Sequence, residues 1–240
     1  MINIDTVYQR VLAAANKEQR GYLTPQEFNL LAEHAQMDVF EQYFYDLNQF
    51  GRGKGNEYEY SDMATIIEEK IAVFEKSHVD VIALSGSTAT VATNVYRLGT
   101  VFYNNGNNSI KVEKVTNKEV ETMNQASLYK PTASRPVYVR KNANQVVLYP
   151  ASPTPSYSVS NVNCHYVAKP LTPRWTYTIV NEQALYNSTA SNAQNFELHE
   201  SDEGELVYKI LELAGIVMNK PGLVGLADKE DMQGIQNEKM

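Results

Sequence analysis

Apolar residues recur every three to four positions over the first third of the chain, every second position through the middle, and every three to four again near the end. The first spacing lines one face of a helix and the second lines one face of a strand. Residues 3–15 therefore predict a helix, with Ile4, Val7, Tyr8, Val11 and Leu12 in one stripe and Asp5 as its N-cap. Residues 25–49 predict a longer helix striped by Phe28, Leu31, Ala32, Ala35, Val39, Phe40, Tyr43, Phe44 and Leu47. Its start is spelled out: Thr24 as a hydroxyl N-cap, Pro25 at the first helical position, and Glu27 placed to complete a capping box. Asn16 to Gly21 is the break before it. Residues 60–77 predict a third helix with Met63, Ile66, Ile67, Ile71 and Phe74 on its apolar side, and three such helices suit a small bundle.

The pattern changes at residue 79. Runs such as VDVIAL, TATVATNVYRL and GTVFYNN are β-branched and aromatic, cut by Gly, Ser and Asn. SIKVEKVT alternates as a half-buried strand does, and a short helical turn is expected from Asn117 to Met123. PVYVRK and QVVLYP, joined across Asn142–Asn144, read as a hairpin. Residues 159–168 alternate again. Residues 169–177, KPLTPRWTY, are spaced by prolines that keep them out of a central strand, and they carry the single tryptophan, Trp175. Trp175 is expected to seal an end of the β core or a subunit contact. From Ser201, an acidic start leads into ELVYKILELAGIVM, a helix with Leu206, Val207, Ile210, Leu211, Leu213 and Ala214 on its apolar face and a Glu205–Lys209 pair one turn apart. Residues 219–240 are apolar only in patches and read as a tail that orders against a partner.

The reading is an α+β protein: a helical bundle of residues 1–78, an inserted antiparallel β domain of 79–196, a C-terminal helix of 197–218 that completes the bundle, and an extended tail of 219–240. Charge follows these divisions. Residues 1–78 hold 7 Lys/Arg against 13 Asp/Glu, residues 79–196 hold 10 against 5, and residues 197–240 hold 4 against 10. A basic middle between acidic ends fits segments that meet different neighbours, and the basic residues are too dispersed for a nucleic-acid binding face. The start of the chain has neither a basic segment nor an apolar core of a signal, and no apolar run reaches the ~20 residues of a membrane helix, so neither secretion nor membrane insertion is expected. The lone Cys164 excludes an intramolecular disulfide framework.

Candidate chemistry is sparse. Asn16 to Glu27 matches a calcium loop at its glycine, its aliphatic residue and its final Glu27, but Arg20 stands where an oxygen ligand is required, and a helix–turn–helix corner accounts for the stretch better. GRGKGN at 51–56 follows no strand and lacks phosphate-loop spacing. His34, His78, His165 and His199 are far apart in sequence and show no metal spacing, and Cys164 and His165 read as strand residues. Acidic pairs such as Glu68–Glu69 read as solvated helix faces. No catalytic residue, cofactor or metal is expected. The aromatic stripe of Phe28, Phe40, Tyr43 and Phe44, with Trp175, is assigned to core or to a ring interface.

Four stretches, ANKEQRGYLTPQEFN, SRPVYVR…VVLYP, PLTPRWTY…ALYNS and FELHESDEGELVYKILELAGI, together resemble structural proteins of tailed bacteriophages, including marine and crAss-like ones. The order of helices, β insertion, C-terminal helix and loose tail resembles head–tail adaptor rings of the tail tubular protein A type. That resemblance implies a virion protein at the head–tail junction, assembled in the host cytoplasm. It implies a homo-oligomeric ring of twelve subunits between the portal protein and the next tail ring, with genomic DNA passing through unread. It also implies a portal-reaching C-terminal segment, in which Leu223, Val224, Leu226, Met232 and Ile235 are the candidate contacts. The alternative weighed here is a tail-tip or virion-surface binding module, for which the Tyr-, Asn-, Ser- and Thr-rich β region is suited.

Overall fold

The computed structural model describes residues 1–16, 23–52, 57–106, 108–151 and 156–217. In chain order its elements are α1 (Ile4–Asn16), α2 (Pro25–Arg52), α3 (Glu57–Ala72), β1 (Glu75–Asp80), β2 (Ala83–Ser85), β3 (Thr88–Thr90), β4 (Val95–Asn104) and β5 (Ser109–Lys114). There follow α4 (Asn117–Gln125), β6 (Val137–Asn142), β7 (Gln145–Tyr149), β8 (Val162–Ala168), β9 (Tyr177–Val180), β10 (Gln183–Tyr186), a 3-10 turn (Glu200–Asp202) and α5 (Glu203–Val217). The fold is α+β. The chain forms two compact units, one of Met1–Val73 with Pro170–Met240 and the other of Phe74–Lys169.

In the first unit α5 packs against α1 and α2, and α3 packs against α2. Ile4, Val7, Tyr8 and Val11 of α1 are buried, as are Phe28, Ala32, Ala35, Val39, Phe40 and Tyr43 of α2 and Leu206, Ile210, Leu211 and Ala214 of α5. Each large side chain so buried contributes about 1.5–3 kcal/mol relative to exposure. The start of α2 is built as its sequence spells it: the Thr24 hydroxyl accepts from the Glu27 amide at 3.3 Å, and Glu27 Oε2 accepts from the Thr24 amide at 2.9 Å. The start of α1 differs from expectation. Asn3 Oδ1 accepts from the Asp5 amide at 2.8 Å and the Thr6 amide at 3.4 Å, so Asn3 is the cap and Asp5 lies inside the first turn.

The second unit is an eight-stranded sheet in the order β1-β8-β4-β5-β6-β7-β3-β2. Every named pairing is antiparallel except β5 with β6, which run parallel because α4 crosses between them. One face curls around a single core in which Ala89, Val101, Tyr103, Val112, Tyr138, Leu148, Val162, Cys164 and Tyr166 meet. On the other face, Val120 of α4 packs with Val115, Val137 and Val139, so β6 is apolar on both sides where a half-exposed strand would alternate. α4 is capped by Thr116, whose hydroxyl and amide both engage Glu119 Oε2.

Two boundaries depart from the sequence reading. The third helix was expected to reach residue 77 but ends at Ala72; Glu75 to Asp80 become β1, whose backbone is satisfied by pairing with β8. The β domain was expected to run to residue 196, yet Pro170 onward belongs to the helical unit. The reason is a row of polar side chains on α2, described next.

Candidate functional site

Asn29, Glu33 and Gln36 follow one another at helical spacing along α2 and hold the extended segment after Pro170. Asn29 Oδ1 accepts from the Trp175 amide at 2.8 Å while its Nδ2 donates to the Trp175 carbonyl at 3.1 Å, a two-point bond that mimics strand pairing. Gln36 donates to the Leu171 carbonyl at 2.8 Å and accepts from the Glu197 amide at 3.2 Å. Thr172 donates to Glu33 at 3.3 Å, and Glu197 accepts from the Leu171 amide at 2.8 Å. Gln36 is 1% exposed, so its own two bonds form where water competes little, whereas those of Glu33 and Glu197 to the segment are exposed.

The segment delivers Trp175 to the core of the helical unit, so of the two expectations for it, an end of the β core or a subunit contact, the first is corrected. Its ring lies 4.1 Å from Tyr8 and stacks on Tyr177 and Tyr186 at 5.7 and 5.8 Å, and its Nε1–H donates to Asp5 Oδ1 at 2.9 Å. Tyr177 and Tyr186 are directly opposed in the β9–β10 hairpin, whose two-residue turn, Asn181–Glu182, has positive φ at both positions. Beyond those tyrosines Ile179, Val180 and Leu185 are exposed.

The aromatic stripe of α2 divides by burial. Phe28 lies edge-on to Tyr8 at 4.8 Å and Phe40 edge-on to Phe44 at 5.1 Å; Phe28, Phe40, Tyr43 and Trp175 are core side chains of this unit, whereas Phe44 is half-buried. The Tyr43 hydroxyl donates to Asp202 Oδ2, and Lys70 Nζ sits 2.8 Å from Asp202 Oδ1. Asp202 thereby joins α2, α3 and the turn before α5 through one buried carboxylate. The candidate portal contacts Leu223, Val224, Leu226, Met232 and Ile235 lie outside the described residues, as do half of the loop read against the calcium pattern and most of GRGKGN.

The β unit holds a cleft of about 330 Å³ that no single stretch of sequence announces. Glu75, Lys76 and Ser77 of β1, Arg97, Leu98, Gly99, Thr100 and Phe102 of β4, and His165 to Val167 of β8 line it. Register slips on both sides of β8 at one level: between Lys76 and Val79 on β1 and between Leu98 and Val101 on β4. Both slips oppose His165. Bulges of this kind redirect side chains and interrupt pairing. Here His78, with φ of 52°, stands 4.5 Å from His165 between ring centroids, and Phe102 stands 4.9 Å from it, so the three rings form a compact triangle. His78 and Phe102 stack on each other at 5.7 Å. Gly99 makes the close approach possible, since a Cβ there would lie 3.0 Å from the His165 carbonyl oxygen. His165 Nε2 is buried with no hydrogen-bond partner.

No protein-family model matches the chain, and no curated protein matches it. Its chemistry is therefore read from its own side chains. Among the described residues no group of three or more His, Cys, Asp or Glu is arranged to hold a metal ion, and no helix is long and apolar enough to cross a membrane. Cys164, next to the cleft in sequence, faces the core instead; its Sγ donates weakly to the Val79 carbonyl at 3.7 Å, and burial pushes its thiol up to about 11. Such a thiol is inert as a nucleophile near neutrality. Sequence reading kept His78 and His165 apart because they are 87 positions distant. What brings them together is the β1–β8 pairing, which nothing local to either histidine announces.

Proposed function

We propose that this protein is a structural head–tail adaptor of a tailed bacteriophage, a ring subunit between portal and tail. The observation that carries the reading is an arrangement: a β unit inserted between α3 and Pro170, in a helical unit whose C-terminal helix packs back on its first two helices, with residues 218–240 following that helix. This is the order on which the resemblance to adaptor rings rests. The role is mechanical. Heterologous contacts repeated around a closed cycle, twelvefold by the resemblance, would form a channel, and the net charge of −7 would discourage passing DNA from adhering to it. The portal-reaching segment in this reading is 219–240.

The test is the solution mass of the full chain by light scattering, alone and mixed with the portal protein of the same phage. A ring, or a subunit that joins the portal in fixed ratio and fails to do so once residues 219–240 are removed, is expected. A monomer indifferent to portal refutes the reading. The cleft beside His165 favours a second reading, a binding module on the tail surface; in that case the isolated protein retains host-surface or glycan binding and ignores the portal.

A further inference from the structure

We propose that His78 and His165 form an open binding site for a first-row divalent transition-metal ion at the rim of the β-unit cleft. The site is independent of the assembly role. Its two imidazoles come from neighbouring antiparallel strands, with ring centroids 4.5 Å apart and planes at 65°. Geometry can be checked against coordination chemistry. An imidazole nitrogen lies about 2.0–2.1 Å from zinc, which places the ring centroid roughly 3.2 Å from the ion. Two such ligands at angles of about 90–110° have centroids roughly 4.5–5.2 Å apart. The observed pair lies at the near end of that range.

Three further features fit. His165 Nε2 is buried and lacks a hydrogen-bond partner, and a buried lone pair or N–H left unmatched is costly unless something fills its place. His78 adopts a left-handed backbone, which His tolerates better than most side chains, and that conformation sits at the register slip opposite His165. Phe102 stacks on the His78 ring at 29° between planes and lies edge-on to His165, so both imidazoles are braced by an apolar ring. Two imidazoles select a borderline ion such as copper(II), nickel(II) or zinc(II) over calcium or magnesium, which prefer oxygen. With two protein ligands the remaining positions fall to water or to a small ligand occupying the cleft, so the site is open.

Copper(II) is the sharpest probe, because the affinity order peaks there and its paramagnetic spectrum counts nitrogen ligands. The full chain is titrated with copper(II) in a non-chelating buffer and followed by electron paramagnetic resonance, with zinc(II) titrated in parallel by calorimetry. The expected result is one equivalent showing coupling to two equivalent-class nitrogens. H78A, at an exposed position, should retain the fold and weaken binding by about tenfold or more. H165Q should do the same, and its fold can be verified by circular dichroism. H34A and H199A should leave the equivalent in place. A one-nitrogen spectrum, or copper and zinc affinities unchanged in H78A, overturns the proposal; so does loss of the equivalent in H34A or H199A.

Discussion

Replacing Asp202 with alanine probes the joint that closes the helical unit. Asp202 is 4% exposed and accepts from the Tyr43 hydroxyl, from Ser201 Oγ at 3.0 Å and from Lys70 Nζ at 2.8 Å. The Lys70 side chain is 14% exposed, and its ammonium also lies 5.7 Å from the Tyr43 ring centroid. D202A leaves that ammonium and the phenol without their anion. Removing one partner of a buried pair costs about 3–5 kcal/mol, because the surviving charge loses a counter-charge where water reaches it poorly. D202N preserves shape and one acceptor and should cost about half as much. The pairwise share is isolated by a cycle with K70M, where the double variant should be less unstable than the sum of the two singles by about 1–3 kcal/mol. Trp175, the sole tryptophan, is 1% exposed and lies in this unit, so its fluorescence during urea unfolding reports on the helical unit separately. A D202A loss below about 1 kcal/mol, the value of an exposed pair, would refute the claim that this carboxylate ties three elements together.

Asn29→Ala removes both bonds to the Trp175 backbone and should destabilise the helical unit by about 2–3 kcal/mol, with a red-shifted Trp175 emission in the native state as the segment loosens. Gly99→Ala forces a Cβ against the His165 carbonyl and should cost the β unit about 1–3 kcal/mol, read as faster labelling of Cys164 by a thiol reagent. In the wild type Cys164 should resist that reagent at pH 8 until the unit unfolds, because the thiol is buried and holds its proton to about 11. That shift also has a sign in stability. The native thiol retains a proton that the unfolded thiol gives up near 9, so stability falls as pH rises from 9 to 11, and the fall should be shallower in C164A by urea melts across that window.

What was legible in the sequence was local. The Thr24–Glu27 box, the α1 and α2 stripes, the β6–β7 hairpin and the buried positions of α5 all depend on residues within a turn or two of each other, and they occur where spacing put them. The misassigned cap at α1 is equally local: Asn3 and Asp5 are both good caps, and the choice fell to Asn3 when Asp5 was taken by the Trp175 indole 170 residues away. The limit of the β domain failed for the same kind of reason. A Pro-spaced run next to a strand reads as part of the sheet unless one knows that Asn29 and Gln36 of α2 are satisfying its backbone, with Glu33 between them accepting from the Thr172 hydroxyl.

The cleft is the stronger case of non-local information. Neither His78 nor His165 carries any feature of its own that marks it; each sits in a strand with ordinary neighbours. Their meeting requires β1 to pair with β8, and then requires both flanking strands to slip register at the same residue. A slip on β1 alone would bring His78 near but leave Phe102 in step with its own strand. A slip on β4 alone would bring in Gly99 and Thr100 without the second imidazole. Two irregularities converging on one residue from opposite sides demand two departures from the favoured ladder, each with a conformational cost, one of them a left-handed non-glycine backbone. Chance irregularities scatter along a sheet, while a constellation that binds something gathers them at one place. Position, more than residue type, is what separates His165 from His34 and His199, and it is the reason those two serve as internal controls for the metal titration.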